Sequence, residues 1–255
     1  MTLDEAWLKE RAGDLRTSLL FLTRLRFGAA TSVAGAAIAR AAWAFPIIGV
    51  LVGLSGAVTY EFAVRAGLTA WPAAALACAA TMAITGCLHE DGLADTVDGF
   101  GGGQTRERKL DIMRDSHIGT YGVCTLIVSI LLRVGVLASL AAPPLVVAAL
   151  IAAHAGARAV LPAFMSLVPP ARSDGLSAAA GRPPRASAAA AALIGFLILI
   201  LCLGLWHGLL ALIVLVIAAA SLAWLCTAQI EGQTGDVLGA VEQVSEIVVL
   251  FIALS

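Results

Sequence analysis

The sequence predicts an all-α integral membrane protein: a bundle of about seven transmembrane helices with an amphipathic helix at the N-terminus. Three observations predict it. Hydrophobic residues make up 60% of the 255 and charged residues 13%, with a mean hydropathy of +0.94; a soluble domain carries about 25% charged residues. Apolar runs close to the ~20 residues that span a bilayer recur along the chain. Lys and Arg collect in alternate connections between those runs.

In chain order, residues 1–26 mix charges with Trp7, Leu8, Leu15, Leu19 and Leu22, the pattern of a helix lying in the membrane interface, and no cleavable signal peptide is expected there. The expected spans are roughly 43–65, 70–88, 119–140, 144–165, 187–205, 208–227 and 236–254. Lys9, Arg11, Arg16, Arg24, Arg26 and Arg40 precede the first span. Arg106, Arg108, Lys109 and Arg114 lie between the second and third, and Arg172, Arg182 and Arg185 between the fourth and fifth. The connections "AAPP" and "WHG" carry no basic residue and "RAGLTA" only Arg65. The positive-inside rule then puts the N-terminus and the even-numbered connections in the cytoplasm and the C-terminus outside. The chain reads as one membrane-embedded domain, 1–255, with no internal repeat. Cys78, Cys87, Cys124, Cys202 and Cys226 form no CxxC pair and read as small core residues.

The chemistry is expected in the polar segment 89–118, a cytoplasmic acidic loop opening with "HEDGLADTVDGFGGG". Asp91, Asp95 and Asp98 are spaced i, i+4, i+7, so they share one side if the second span continues as a helix past His89. Asp111 and Asp115 repeat the spacing on a short helix, "RERKLDIMRD". Carboxylates converging without basic residues among them repel unless a cation neutralises them, and Mg²⁺ binds through one or two carboxylates plus substrate phosphates. Asp91, Asp95, Asp98 and Asp115 are the candidate metal ligands. Glycines at 99 and 101–103 allow a tight turn and close approach to a ligand, which makes Gly101 and Gly102 candidates for binding. Arg106, Arg108, Lys109 and Arg114 could neutralise phosphate oxygens. By itself "RERKLDIMRD" reads better as an interfacial helix than as a site. His89 is a site candidate through its place beside Asp91.

Inside the apolar spans, Arg133, His154, Arg158, Glu61, Glu242 and Glu246 are costly unless paired, so ion pairing within the bundle is the favoured reading and the floor of a substrate cavity the alternative. His154 and Arg158 share a helix face, as do Glu242 and Glu246. The Pro-, Ser- and Gly-rich segment 168–185 reads as a mobile cover for a large substrate.

These motifs resemble a family. H-x-D-G-L-A-D-T-x-D-G-x-G-G, then "IMRDSHIGTYG" (112–122) and "TGDVLGA" (234–240), with "FLTRL" (21–25) and "FPIIGVLVG" (45–53), are similar to the cobalamin synthases, the adenosylcobinamide-GDP ribazoletransferases. Glu90 departs from the apolar residue expected there, and "EGQTGD" lacks a second Gly before TGD. The resemblance implies a Mg²⁺-dependent enzyme of the bacterial inner membrane that joins GDP-activated cobinamide to α-ribazole or its 5′-phosphate, releasing GMP. It implies catalytic roles for Asp91, Asp95 and His89, and brings Asp236 to the nucleotide or metal site, with Gly235 and Gly239 permitting close approach. Small-molecule substrates and membrane lipid are the expected partners, nucleic acid is not, and a homo-oligomer is left open. A CDP-alcohol phosphatidyltransferase is disfavoured because "DGLADT" puts Asp95 and Thr96 where that signature has Ala and Arg. An ion-coupled transporter is disfavoured because the densest polar cluster lies outside the spans.

Overall fold

The structure, a computed structural model, describes residues 3–26 and 35–255. They form α1 (Leu3–Leu22), α2 (Gly35–Ala41), a 3₁₀ turn (Ala42–Ala44), α3 (Phe45–Arg65), α4 (Ala70–Thr85), α5 (Leu88–Gly102), α6 (Arg106–Ile112), α7 (Thr120–Leu140), α8 (Pro143–Leu167), α9 (Leu176–Ala180), α10 (Arg185–Ile230) and α11 (Gly235–Leu254). Among the described residues the β-type pairing is a single bridge between Pro170 and Gln233.

Among the described residues, five helices are long and apolar enough to cross a bilayer, six if α4 and α5 count as one bent span. The seven expected apolar segments correspond to α3, α4, α7, α8, two arms of α10, and α11. Gly204 (φ 79°, ψ 169°) breaks α10. The arms 185–203 and 205–230 fold back on each other: a Cβ on Gly208 would lie 3.0 Å from the backbone of Ile200. α8 is the central helix, packed by α3, α10 and α11. Its face of buried alanines (Ala149, Ala152, Ala153, Ala155, Ala157) lets neighbours approach closely. A Cβ at Gly49 or Gly53 of α3 would fall 2.3 Å from the His154 carbonyl oxygen or 2.6 Å from that of Leu150, the small-residue packing that membrane helices favour. Leu201, Trp206, Trp224 and Phe62 remain exposed on the outside, as lipid-facing side chains do.

Two expectations are corrected here. The second span does not continue past His89. α4 ends at Thr85, Gly86 and Cys87 both take left-handed conformations (φ 67° and 58°), and α5 leaves at 89° to α4. Left-handed residues cannot continue a right-handed helix. The "FLTRL" segment supports this corner. The Arg24 N–H donates to the Ile84 carbonyl (2.7 Å), and a Cβ on Gly86 would strike the Arg24 side chain at 2.1 Å. α5 therefore leaves the line of α4 instead of extending it. The second correction concerns the glycine run. It makes no tight turn, because α5 continues helically through Gly102. These glycines admit neighbours instead: a Cβ on Gly99 would lie 2.5 Å from Met113 Cγ, and one on Gly103 2.7 Å from the Lys109 nitrogen.

α1 is helical from Leu3, and the first two residues of the expected interfacial helix lie outside the described residues. The helix is fastened to the bundle. Its fully buried Asp14 accepts from Arg40 Nε (3.2 Å) and Trp43 Nε1 (3.0 Å) and pairs with Arg11 (3.1 Å).

Candidate active site

The site is built where α5 crosses α11. Gly92 and Gly239 meet at the crossing: a Cβ on Gly92 would lie 2.7 Å from the Asp236 carbonyl oxygen, and one on Gly239 3.0 Å from Gly92 Cα. Backbone contact at this distance is open only to glycine. It brings Asp236 beside Asp91 and Asp95, one helical turn apart on α5. Gly235, also expected to permit close approach, has open space around it. Asp236 is not needed as a helix cap, because the Thr234 hydroxyl accepts from the Val237 N–H (3.3 Å) and fills that role. The same hydroxyl donates to Asp236 Oδ2 (3.1 Å), and Arg172 lies 3.6 Å from that oxygen.

Asp91 is exposed and lines two cavities. One, of about 160 Å³, also takes in Asp236, Arg172 and His89 with apolar walls from α1, α3 and α8. The other, about 480 Å³, adds Asp95, Arg114, Asp115 and Ser116. Burial, then the charges of Asp91, Asp236 and Asp98, pushes the Asp95 carboxyl up to about 7. Asp115 is held below the usual carboxylate range by hydrogen bonds from His117, whose Nδ1 is 2.7 Å away.

Several expected site residues have other duties. Asp98 is buried and accepts from the N–H groups of Gly119 (2.7 Å) and Gly122 (2.9 Å), satisfying the open N-terminus of α7. Cβ atoms on those two glycines would strike its carboxylate at 2.4 and 2.3 Å, so "TVDG" and "IGTYG" lock together. Arg106 donates to the backbone carbonyls of Ile230 (3.2 Å) and Ala171 and pairs with Glu231 (3.2 Å), which ties α6 to the end of α10 and away from both cavities. Gly101 and Gly102 border neither cavity; a Cβ on Gly101 would meet the Tyr121 ring at 2.9 Å. Arg114 does reach the larger cavity and pairs with Asp174 at 2.5 Å.

His89 is buried, with Nδ1 3.3 Å from Arg158 Nη2 and 3.8 Å from Glu242 Oε2. It is the upper edge of a buried polar network. Arg158 pairs with Glu242 (2.5 Å), Arg133 with Glu90 (3.0 Å) and Glu246 (3.4 Å), and His154 lies 3.4 Å from Glu246. Gln243 donates to Glu242 (3.0 Å). The two expected faces thus meet one another as ion pairs, and Glu90 is accommodated because Arg133 faces it. Glu61 pairs with Arg65 at 2.8 Å, away from the site.

Sequence reasoning missed Arg172 as a site residue, since it carried only a topological signal. Within the expected cover segment 168–185, its position depends on hydrogen bonds to Gln233. Ala171 N–H donates to the Gln233 carbonyl and Gln233 N–H to that of Pro169 (2.8 Å each), and the Ser177 hydroxyl donates to Gln233 Oε1 (2.7 Å). Gln233 of "EGQTGD" is the residue that holds it.

The model of the family described as cobalamin-5-phosphate synthase matches residues 14–254. The chain belongs to this family. It is 59% identical over 240 residues to the adenosylcobinamide-GDP ribazoletransferase of Bradyrhizobium diazoefficiens, covering 94% of this chain and 92% of that one. It is 52% identical to that of Mesorhizobium japonicum with the same coverage, and 38% identical to that of Ralstonia nicotianae over 98% of both chains. No solved structure matches the chain. Every motif that suggested a cobalamin synthase lies within the matched region, and two of them meet at the α5–α11 crossing.

Proposed function

We propose that this protein transfers the cobinamide-phosphoryl group of adenosylcobinamide-GDP to α-ribazole or its 5′-phosphate, releasing GMP, with Mg²⁺ as cofactor. The placement follows the positive-inside pattern: an inner-membrane protein with the α5–α11 site on the cytoplasmic side. The observation that carries the reading is the glycine contact that joins the acidic motif to a TGD motif about 140 residues later.

The donor set fits Mg²⁺. Asp91, Asp95 and Asp236 are hard oxygen ligands; burial first, and then the neighbouring carboxylate charges, push Asp95 up, and a cation would relieve the second of these. Asp91 and Asp236 would hold the ion, which supplies charge neutralisation on the donor's diphosphate when bound. Asp95, with its carboxyl near neutrality, is placed to take the proton of the acceptor hydroxyl. The acceptor oxygen forms a bond to the phosphorus that bears cobinamide. The bond from that phosphorus to the bridging oxygen breaks, and GMP departs with the electron pair. Arg114 and Arg172, one at each cavity, provide positive charge for phosphate oxygens.

The test is direct. Purified protein given adenosylcobinamide-GDP, α-ribazole and Mg²⁺ should release GMP in equal amount to the cobalamin formed, lose this with EDTA and regain it with Mg²⁺. Absence of GMP under these conditions contradicts the reading.

A further inference from the structure

We propose that the smaller cavity is the seat of the acceptor's aromatic base, and that the larger polar cavity takes the nucleotide diphosphate of the donor. This rests on the functional reading above and assigns each substrate to a side of Asp91. The smaller cavity is walled by Phe21 of α1, Phe45 of α3, and Leu161 and Met165 of α8. The two phenylalanine rings lie 5.9 Å apart and tilted by 32°, a distance at which aromatic rings attract, and methionine sulfur is a favourable neighbour for such rings. Its acidic and guanidinium groups, Asp91, Asp236 and Arg172, belong to the α5–α11 crossing and its adjoining loop, and His89 and Ser177 complete its polar lining.

Size and polarity select the occupant. An apolar cavity of about 150 Å³ accepts a benzene ring; this one, about 160 Å³ and open to the outside, accepts the benzene ring of a flat two-ring base with the remainder at its mouth. A flat benzimidazole-type base has few polar atoms and suits such walls. A guanine edge, rich in donors and acceptors, would forfeit hydrogen bonds against Phe21, Phe45, Leu161 and Met165. A corrin ring is far too large. With the base between these walls, the ribose of the acceptor lies toward Asp91 and Asp236. The donor's diphosphate faces Arg114 across the same Asp91 from the other side. α1 and the "FLTRL" motif then have a binding role, because Phe21 belongs to both.

The experiment compares wild type, Leu161→Trp, which fills the cavity, and Phe21→Ala, which removes one wall. Binding of α-ribazole alone is measured calorimetrically, and KM is measured separately for α-ribazole and adenosylcobinamide-GDP. Leu161→Trp should weaken α-ribazole binding and raise its KM by roughly tenfold or more, with the donor's KM within about twofold. Phe21→Ala should weaken α-ribazole binding by roughly two- to tenfold; it decides the matter if Leu161→Trp does not yield folded protein. Ser116→Trp, in the polar cavity, should raise the donor's KM instead. Unchanged α-ribazole binding in both cavity variants, or a rise in the donor's KM alone, overturns the assignment. α-Ribazole binding that is lost in Leu161→Trp while wild type releases no GMP upholds the site and overturns the reaction.

Discussion

Asp91, Asp95, Asp98 and Asp236 carry the same chemical group in four different surroundings, and the difference lies in what each touches. Asp98 is spent on two backbone N–H groups. Asp236 is relieved of capping by Thr234, and Asp91 opens to both cavities. Asp95 is held near neutrality by burial and by its neighbours. Because its carboxyl is pushed up to about 7, Asp95 in the proposed role of base is protonated, and so inactive, below that pH. Turnover at saturating Mg²⁺ should fall about tenfold for each pH unit below 7 and level off above it; a flat profile from pH 5.5 to 8 contradicts the assignment. A second prediction concerns Arg133, buried between Glu90 and Glu246. Removing one partner of a buried pair costs about 3–5 kcal/mol, whereas replacing the pair by apolar groups is often neutral. Arg133→Met should lower Tm by roughly 10 °C, and Glu90→Leu added to it should recover part of that loss, as read by thermal unfolding in detergent.

At the scale of elements, the spans were legible because lipid imposes a length and a polarity on each of them. The i, i+4, i+7 aspartates correctly announced a helix, α5. Its direction was not legible. The corner at Gly86 and Cys87 is held by Arg24, just past the end of α1, a contact far off in sequence that no local pattern announces. Glycines at 99–103 suggested a turn by composition, yet the packing of Met113, Lys109 and Tyr121 uses them as small surfaces within and beside a helix. Arg106 looked available for phosphate because its partners are two backbone carbonyls, which leave no trace in the side-chain sequence, and Glu231, far off along the chain. The α5–α11 crossing gives the clearest test at this scale. Gly92→Ala puts a methyl 2.7 Å from the Asp236 carbonyl oxygen, so one helix must move. The expected destabilisation is about 1–3 kcal/mol, with a much larger loss of turnover because Asp91 and Asp236 separate. Stability and turnover falling in proportion would show that the crossing matters to folding alone.

Over the whole molecule, the ends of α4, α8 and α10, the starts of α7 and α11, and all of α5 and α6 gather the polar groups at one end of an apolar bundle. The buried network of Arg133, Arg158, His89 and the three glutamates lies next to that end and binds α5, α7, α8 and α11 together. The proposal that this end faces the cytoplasm rests on the Lys and Arg asymmetry. A cysteine introduced at Gln104 should label with a membrane-impermeant reagent only from the cytoplasmic face, and one at Pro143 only from the opposite face. The reverse pattern would displace the site to the wrong compartment.

The central claim is that two distant motifs form one site, and Asp236→Asn tests it most directly. The exchange removes a charge at nearly constant volume and leaves the Thr234 cap in place. Measured as GMP release against Mg²⁺ concentration, with Tm recorded on the same preparation, the variant should keep wild-type stability, lose turnover by roughly a hundredfold or more, and need more Mg²⁺. Full turnover at an unchanged Mg²⁺ requirement would show that the α5 carboxylates work without the C-terminal motif.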